Sequence, residues 1–131
     1  MSRIDIITAQ EKKILKKLKD FQLSTVKQVD KLFWDKQQQR VLVSDEVGLG
    51  KTLVAKGVIV EYAKHFFSKP SQSKLNVVYV CSNATISSQN VRKLSIGDCC
   101  YIENTNTSRL SLQHKNISQL HKKEKKDKEL R

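Results

Sequence analysis

The stretch RVLVSDEVGLGKTLVAKGVIV, Arg40 to Val60, constrains this chain more than any other. Val41, Leu42 and Val43 form a short apolar run without alternation, which reads as a strand covered on both sides. A glycine-containing turn follows, and from about Lys51 to Phe67 the pattern is helical and apolar on most sides, so this helix is expected to be largely buried. The turn carries the second half of the phosphate-loop pattern GxxxxGK[ST] in Gly50, Lys51 and Thr52, with Asp45 where the first glycine would stand. Gly48 and Gly50 allow backbone angles that point successive N–H groups inward around phosphate oxygens. Lys51 supplies a compact positive charge for β- and γ-phosphates, Thr52 a hydroxyl for Mg²⁺, and the helix N-terminus faces the anion.

The flanking segments extend that unit. LNVVYVCS, Leu75 to Ser82, reads as a second buried strand, and ISSQNVRKL, Ile86 to Leu94, as a short helix. Strand, loop, helix, strand, helix is the order of a βαβ unit, and the right-handed crossover rule would set Val41–Ser44 and Val77–Cys81 parallel in one sheet. SKPSQSK, Ser68 to Lys74, is a loop of breakers, and DCCYIE offers a third strand.

The segment before the loop reads as helical. In AQEKKILKKLKDFQ, Ile14, Leu15 and Leu18 share a face opposite lysines. Such a helix either lays its stripe on the core or rests on a membrane or nucleic acid. A second pattern places Val26, Val29, Leu32 and Phe33 together, with Ser24 and Thr25 as candidate caps and Asp35 to Gln39 as a loop. The organisation expected is an N-terminal helical segment over 1–39, a partial ATP-binding domain over 40–112 and a lysine-rich tail over 113–131.

The 131 residues suggest one domain at most, and 38% hydrophobic residues suffice for a modest core. A net charge of +12 favours contact with nucleic acid or another polyanion, against the plainer reading of a basic soluble surface. Cys81, Cys99 and Cys100 form no disulfide framework, and His65, His114 and His121 are scattered, which reads against a zinc site. The N-terminus lacks a signal-peptide core and no apolar run has bilayer-crossing length, so the expected setting is reducing and cytoplasmic, with no membrane partner.

The string SDEVGLGKT is more specific than the generic loop. It resembles motif I of superfamily 2 helicases and translocases, especially the SWI/SNF-like and bacterial RapA-like branch, where Asp45 fits. The resemblance implies a partial RecA-like P-loop α/β domain with a small parallel sheet, preceded by N-terminal helices. It implies ATP and Mg²⁺ as cofactors, held by Glu46, Val47, Gly48, Leu49, Gly50, Lys51 and Thr52, with Thr52 reaching Mg²⁺ through the nucleotide.

FQLSTV, Phe21 to Val26, is similar to the adenine-recognition segment of that family, which implies that Gln22 hydrogen-bonds the adenine edge while Phe21 packs near it; Gln28 is a weaker candidate. VVYVCSNATISSQNVRKL resembles the motif Ia region, so Ser82, Asn83 and Thr85, with Arg92 and Lys93 nearby, would contact a nucleic-acid backbone, DNA more than RNA. The plainer alternatives are a surface glutamine and an ordinary capped turn. The resemblance covers about Phe21 to Leu112 if Ser108–Leu112 belongs to it.

No DExH or DExD carboxylate motif follows the loop, and no second motor domain with its arginine fingers is present. Hydrolysis needs both a metal-holding carboxylate and positive charge at the transferring phosphate. The expectation is a chain that grips ATP but does not turn it over alone, with the remainder of the motor as a possible separate partner. Two other readings stand beside it. One is a basic nucleic-acid- or partner-binding module carried by Lys12, Lys13, Lys16, Lys17, Lys19 and the tail lysines; the other is an inactive truncated remnant.

Overall fold

In the computed structural model, which describes residues 2–71 and 74–97, four helices follow one another: α1 (Arg3–Leu15), α2 (Asp20–Trp34), α3 (Lys51–Phe67) and α4 (Ala84–Leu94). The long helix α3 is the hub, packing on α1, α2 and α4. It is cased on one side by the buried face of Val54, Gly57, Val60 and Ala63, spaced at about one helical turn. Leu53 and Tyr62 remain exposed, so its burial is one-sided rather than general.

The core between α1 and α3 gathers Ile7, Ile14, Val60, Ala63 and Ile96, with Ile59, Phe67 and Leu75 against it. Between α2 and α3 the contact is closer. Val26 is fully buried, and a Cβ placed on Gly57 would stand 2.7 Å from Val26 Cγ2 and 3.2 Å from Leu18 Cδ1. A glycine inside a helix costs roughly 1 kcal/mol against alanine. Here its missing side chain is the space through which the two helices approach.

Helix boundaries differ from the sequence expectation in the first forty residues. One continuous pattern from Ala9 to Gln22 is cut at Lys16–Lys19 into two helices. Ser2 N–H donates to Asp5 Oδ2 at 2.8 Å at the start of α1, and Lys19 N–H donates to Gln22 Oε1 at 3.0 Å at the start of α2. Each is a side chain one turn inside the helix reaching back to an orphan backbone donor. Ser24 and Thr25, expected as caps, lie within α2, where their hydroxyls donate to the carbonyls of Asp20 and Phe21.

The expected parallel sheet is overturned. No strand occurs among the described residues, so the α/β reading, and with it a RecA-like domain built on a small parallel sheet, gives way to a helical architecture. Val41–Ser44 and Val77–Cys81 lack regular structure, and among the described residues neither segment is hydrogen-bonded to a neighbouring backbone as in a ladder. The physical reason is that a strand's N–H and C=O groups are satisfied only by another strand, whereas each helix closes its own. Nor are these runs covered on both sides: Leu42 is 89% exposed and Val78 83%. The DCCYIE segment, the Ser108–Leu112 segment and the lysine-rich tail lie outside the described residues.

Among the described residues, no helix is long and apolar enough to cross a membrane.

Candidate nucleotide-binding loop

The loop from Asp45 to Gly50 connects an irregular apolar segment to the first turn of α3. Its curvature comes from two residues in the left-handed region, Gly48 at φ 87° and Gly50 at φ 82°. A side chain at either position would be strained. Gly50 also serves as the N-cap of α3, its carbonyl accepting from Leu53 N–H at 2.8 Å and Val54 N–H at 3.1 Å.

Lys51 turns back over this bend. Its Nζ donates to the carbonyls of Asp45 at 2.6 Å and Glu46 at 2.8 Å, so the ammonium closes the start of the loop against its end. An ammonium has three donors in all. The side chains of Glu46, Val47 and Leu49 are exposed, with Val47 almost entirely so, while Thr52 is half-buried in the first turn of α3. The loop thus presents exposed backbone and one cation at the positive end of a 17-residue helix, an arrangement suited to an anion.

Gln22 braces this loop from below. It is buried, and its Nε2 donates to the Leu49 carbonyl at 2.9 Å while its Oε1 accepts from Lys19 N–H. A Cβ on Gly50 would lie 2.5 Å from Gln22 Nε2, so a side chain there would displace the Gln22 amide that bonds Leu49, in addition to straining the backbone. One amide proton and one lone pair of Gln22 remain beyond these two bonds. Phe21, beside it, is 44% exposed. Gln28 is exposed on α2 and lies about 9 Å along the helix from Gln22, by the rise of 1.5 Å per residue.

The other group of candidate residues lies on α4. Asn83 is the N-cap, its Oδ1 accepting from Thr85 N–H at 2.9 Å and Ile86 N–H at 3.1 Å. Ser82, Asn83 and Thr85 are exposed at this end. Arg92 and Lys93 are exposed in the last turn, about 13 Å farther along the axis. The structure therefore gathers the first three and holds the two cations at the opposite end of the helix.

A third cluster was not singled out from sequence. Asp30, Glu61 and His65 each offer a ligand atom, all within 4.8 Å of one another, at the α2–α3 junction. Glu61 and His65 stand four residues apart in EYAKH, a signal readable in the sequence; Asp30 joins them only through helix packing. Beside them, Lys64 Nζ pairs with the buried Glu11 at 2.8 Å. Burial pushes the Glu61 carboxyl above its ordinary range, and the Glu11 charge adds to the rise. The hydrogen bond to Glu11 holds the Lys64 ammonium above the ordinary lysine range.

Comparison with known proteins gives one family. The model of the type III restriction enzyme res subunit family matches residues 6–130, nearly the whole chain. No match is found among curated proteins or among solved structures. The chain belongs to the res subunit family, a family of helicase-like ATP-binding domains of superfamily 2.

Proposed function

Starting from that membership, we propose that the chain binds Mg-ATP through the loop 45–52 and serves as the nucleotide-gripping part of a nucleic-acid motor. The observation that carries this reading is the loop itself: two left-handed glycines, an exposed backbone and Lys51 folded inward at the head of α3. Family proteins of this helicase-like kind commonly use ATP with Mg²⁺, and the residues present suit both. Backbone N–H groups of Val47 to Gly50 and the Lys51 ammonium would take the phosphates, trading the Asp45 and Glu46 carbonyls for phosphate oxygens. Thr52 would hold Mg²⁺, which neutralises phosphate charge when bound.

Gln22 would link base recognition to this grip, because the amide that reaches an adenine edge is already tied to the loop at Leu49. Ser82, Asn83 and Thr85 would donate to a nucleic-acid backbone, and the +12 charge would draw that polyanion in, DNA ahead of RNA. With no DExH carboxylate in the sequence, the activity of this chain on its own would be binding rather than turnover.

The test is a titration with a fluorescent ATP analogue in the presence of Mg²⁺. The wild-type chain should saturate. Lys51→Ala should bind about 10–100-fold more weakly, the expected loss for a hydrogen bond to a charged group. Because Lys51 is exposed, the variant should retain the wild-type melt. A wild-type chain that shows no saturation, or a Lys51→Ala chain that binds equally well, would overturn the reading.

A further inference from the structure

At the end of the α2–α3 pair remote from the phosphate loop, three potential ligands converge from two helices. We propose that Asp30, Glu61 and His65 form a site for a divalent first-row transition ion, with zinc as the natural occupant, which would clip α2 to α3.

The spacing supports this directly. Asp30 Oδ1 and His65 Nε2 are 3.3 Å apart. With metal–ligand bonds of about 2.0–2.1 Å, two ligands of a tetrahedral zinc lie about 3.3 Å from each other. Glu61 and His65 occupy one face of α3 at i and i+4, and the three ligand atoms fit within 4.8 Å, so a carboxylate rotation closes the set. The helices that supply them are held at a fixed approach where Gly57 meets Val26.

The imidazole is also held by a ring contact, besides its pairing with Asp30. The indole of Trp34 lies over it, ring centroids 4.6 Å apart and planes inclined by 32°. Lys64, the nearest ammonium in sequence, is bonded to Glu11 and lies close enough to Glu61 and Asp30 for its charge to act on both.

One imidazole and two carboxylates favour a borderline cation over Mg²⁺ or Ca²⁺, which prefer all-oxygen shells. Three protein ligands would leave one position for water. Glu61 lies ten residues along α3 from Lys51, about 15 Å away. This ion is therefore distinct from the Mg²⁺ that would accompany a nucleotide, and the inference does not depend on nucleotide binding.

Cobalt(II) alone, added to the full chain, is a suitable probe because its visible absorption reports coordination. The expected result is saturation at one equivalent, bands of tetrahedral intensity and no thiolate charge-transfer band. Zn²⁺ should displace the cobalt and raise Tm. His65→Ala and Asp30→Asn should each abolish the spectrum, whereas Cys81→Ser should leave it unchanged. A thiolate band, a spectrum indifferent to both ligand variants or no binding by the wild type would overturn the site. Should His65→Ala fail to melt cooperatively, Asp30→Asn and Glu61→Gln decide by the same spectrum.

Discussion

Val60 and Val78 sit in runs of similar composition, VIVEY and NVVYV, yet Val60 is fully buried and Val78 is 83% exposed. The first run lies on α3, where each residue's backbone is satisfied within the helix and burial needs only an apolar neighbour, supplied by Ile7 and Ile14 of α1. The second run has no regular structure and meets no partner strand among the described residues. Hydrophobic sequence alone does not bury a residue. It does so where the backbone has first been satisfied, and a helix can manage that alone.

The sharpest way to break this comparison is to place the same charge in both runs. Val60→Asp should abolish cooperative melting, because an unpaired carboxylate in that core costs several kcal/mol, a large part of a small domain's stability. A variant that still melts like the wild type would show that the α1–α3 core is not what holds the helices together.

A smaller effect is expected from the ion pair beside that core. Lys64→Met leaves the Glu11 carboxylate buried without its partner and should cost about 1–3 kcal/mol in chemical denaturation. Because the Lys64 pKa is raised by Glu11, the pair's contribution is complete below the ordinary lysine value of 10.5 and fades as pH climbs through the folded-state value. The wild-type advantage should therefore shrink in alkaline solution; an advantage independent of pH would remove the ion pair as its source.

The smallest effect belongs to the exposed run. Val78→Asp should change stability by less than about 0.5 kcal/mol, as for surface substitutions in general. A larger destabilisation would mean that Val78 is covered in solution, and the contrast with Val60 would fail.

Sequence reading served best where structure is local. The span Lys51–Phe67 of α3 and the bend at Gly48 and Gly50 were readable because capping, left-handed glycine and helical period are properties of neighbouring residues. The division between α1 and α2 was not, since Ile14, Leu15 and Leu18 continue one helical stripe across it. The start of α2 is marked instead by Gln22, whose side chain caps Lys19 and binds Leu49, 27 residues away. The sheet expectation failed for the converse reason: apolar β-branched runs express a preference for strand, but pairing is tertiary. The role of Gln22 as a brace and the meeting of Asp30 with His65 likewise depend on how α2 crosses α3, which no local pattern encodes.

The stacking of Trp34 has one more consequence. It is the chain's sole tryptophan, and its indole lies against the His65 imidazole, within 6.0 Å of the Lys69 ammonium and beside Tyr62. Its near-ultraviolet emission thus originates at the α2–α3 junction alone. The molecule carries an intrinsic lamp at the place where its two central helices meet, and any rearrangement there will be visible without a label.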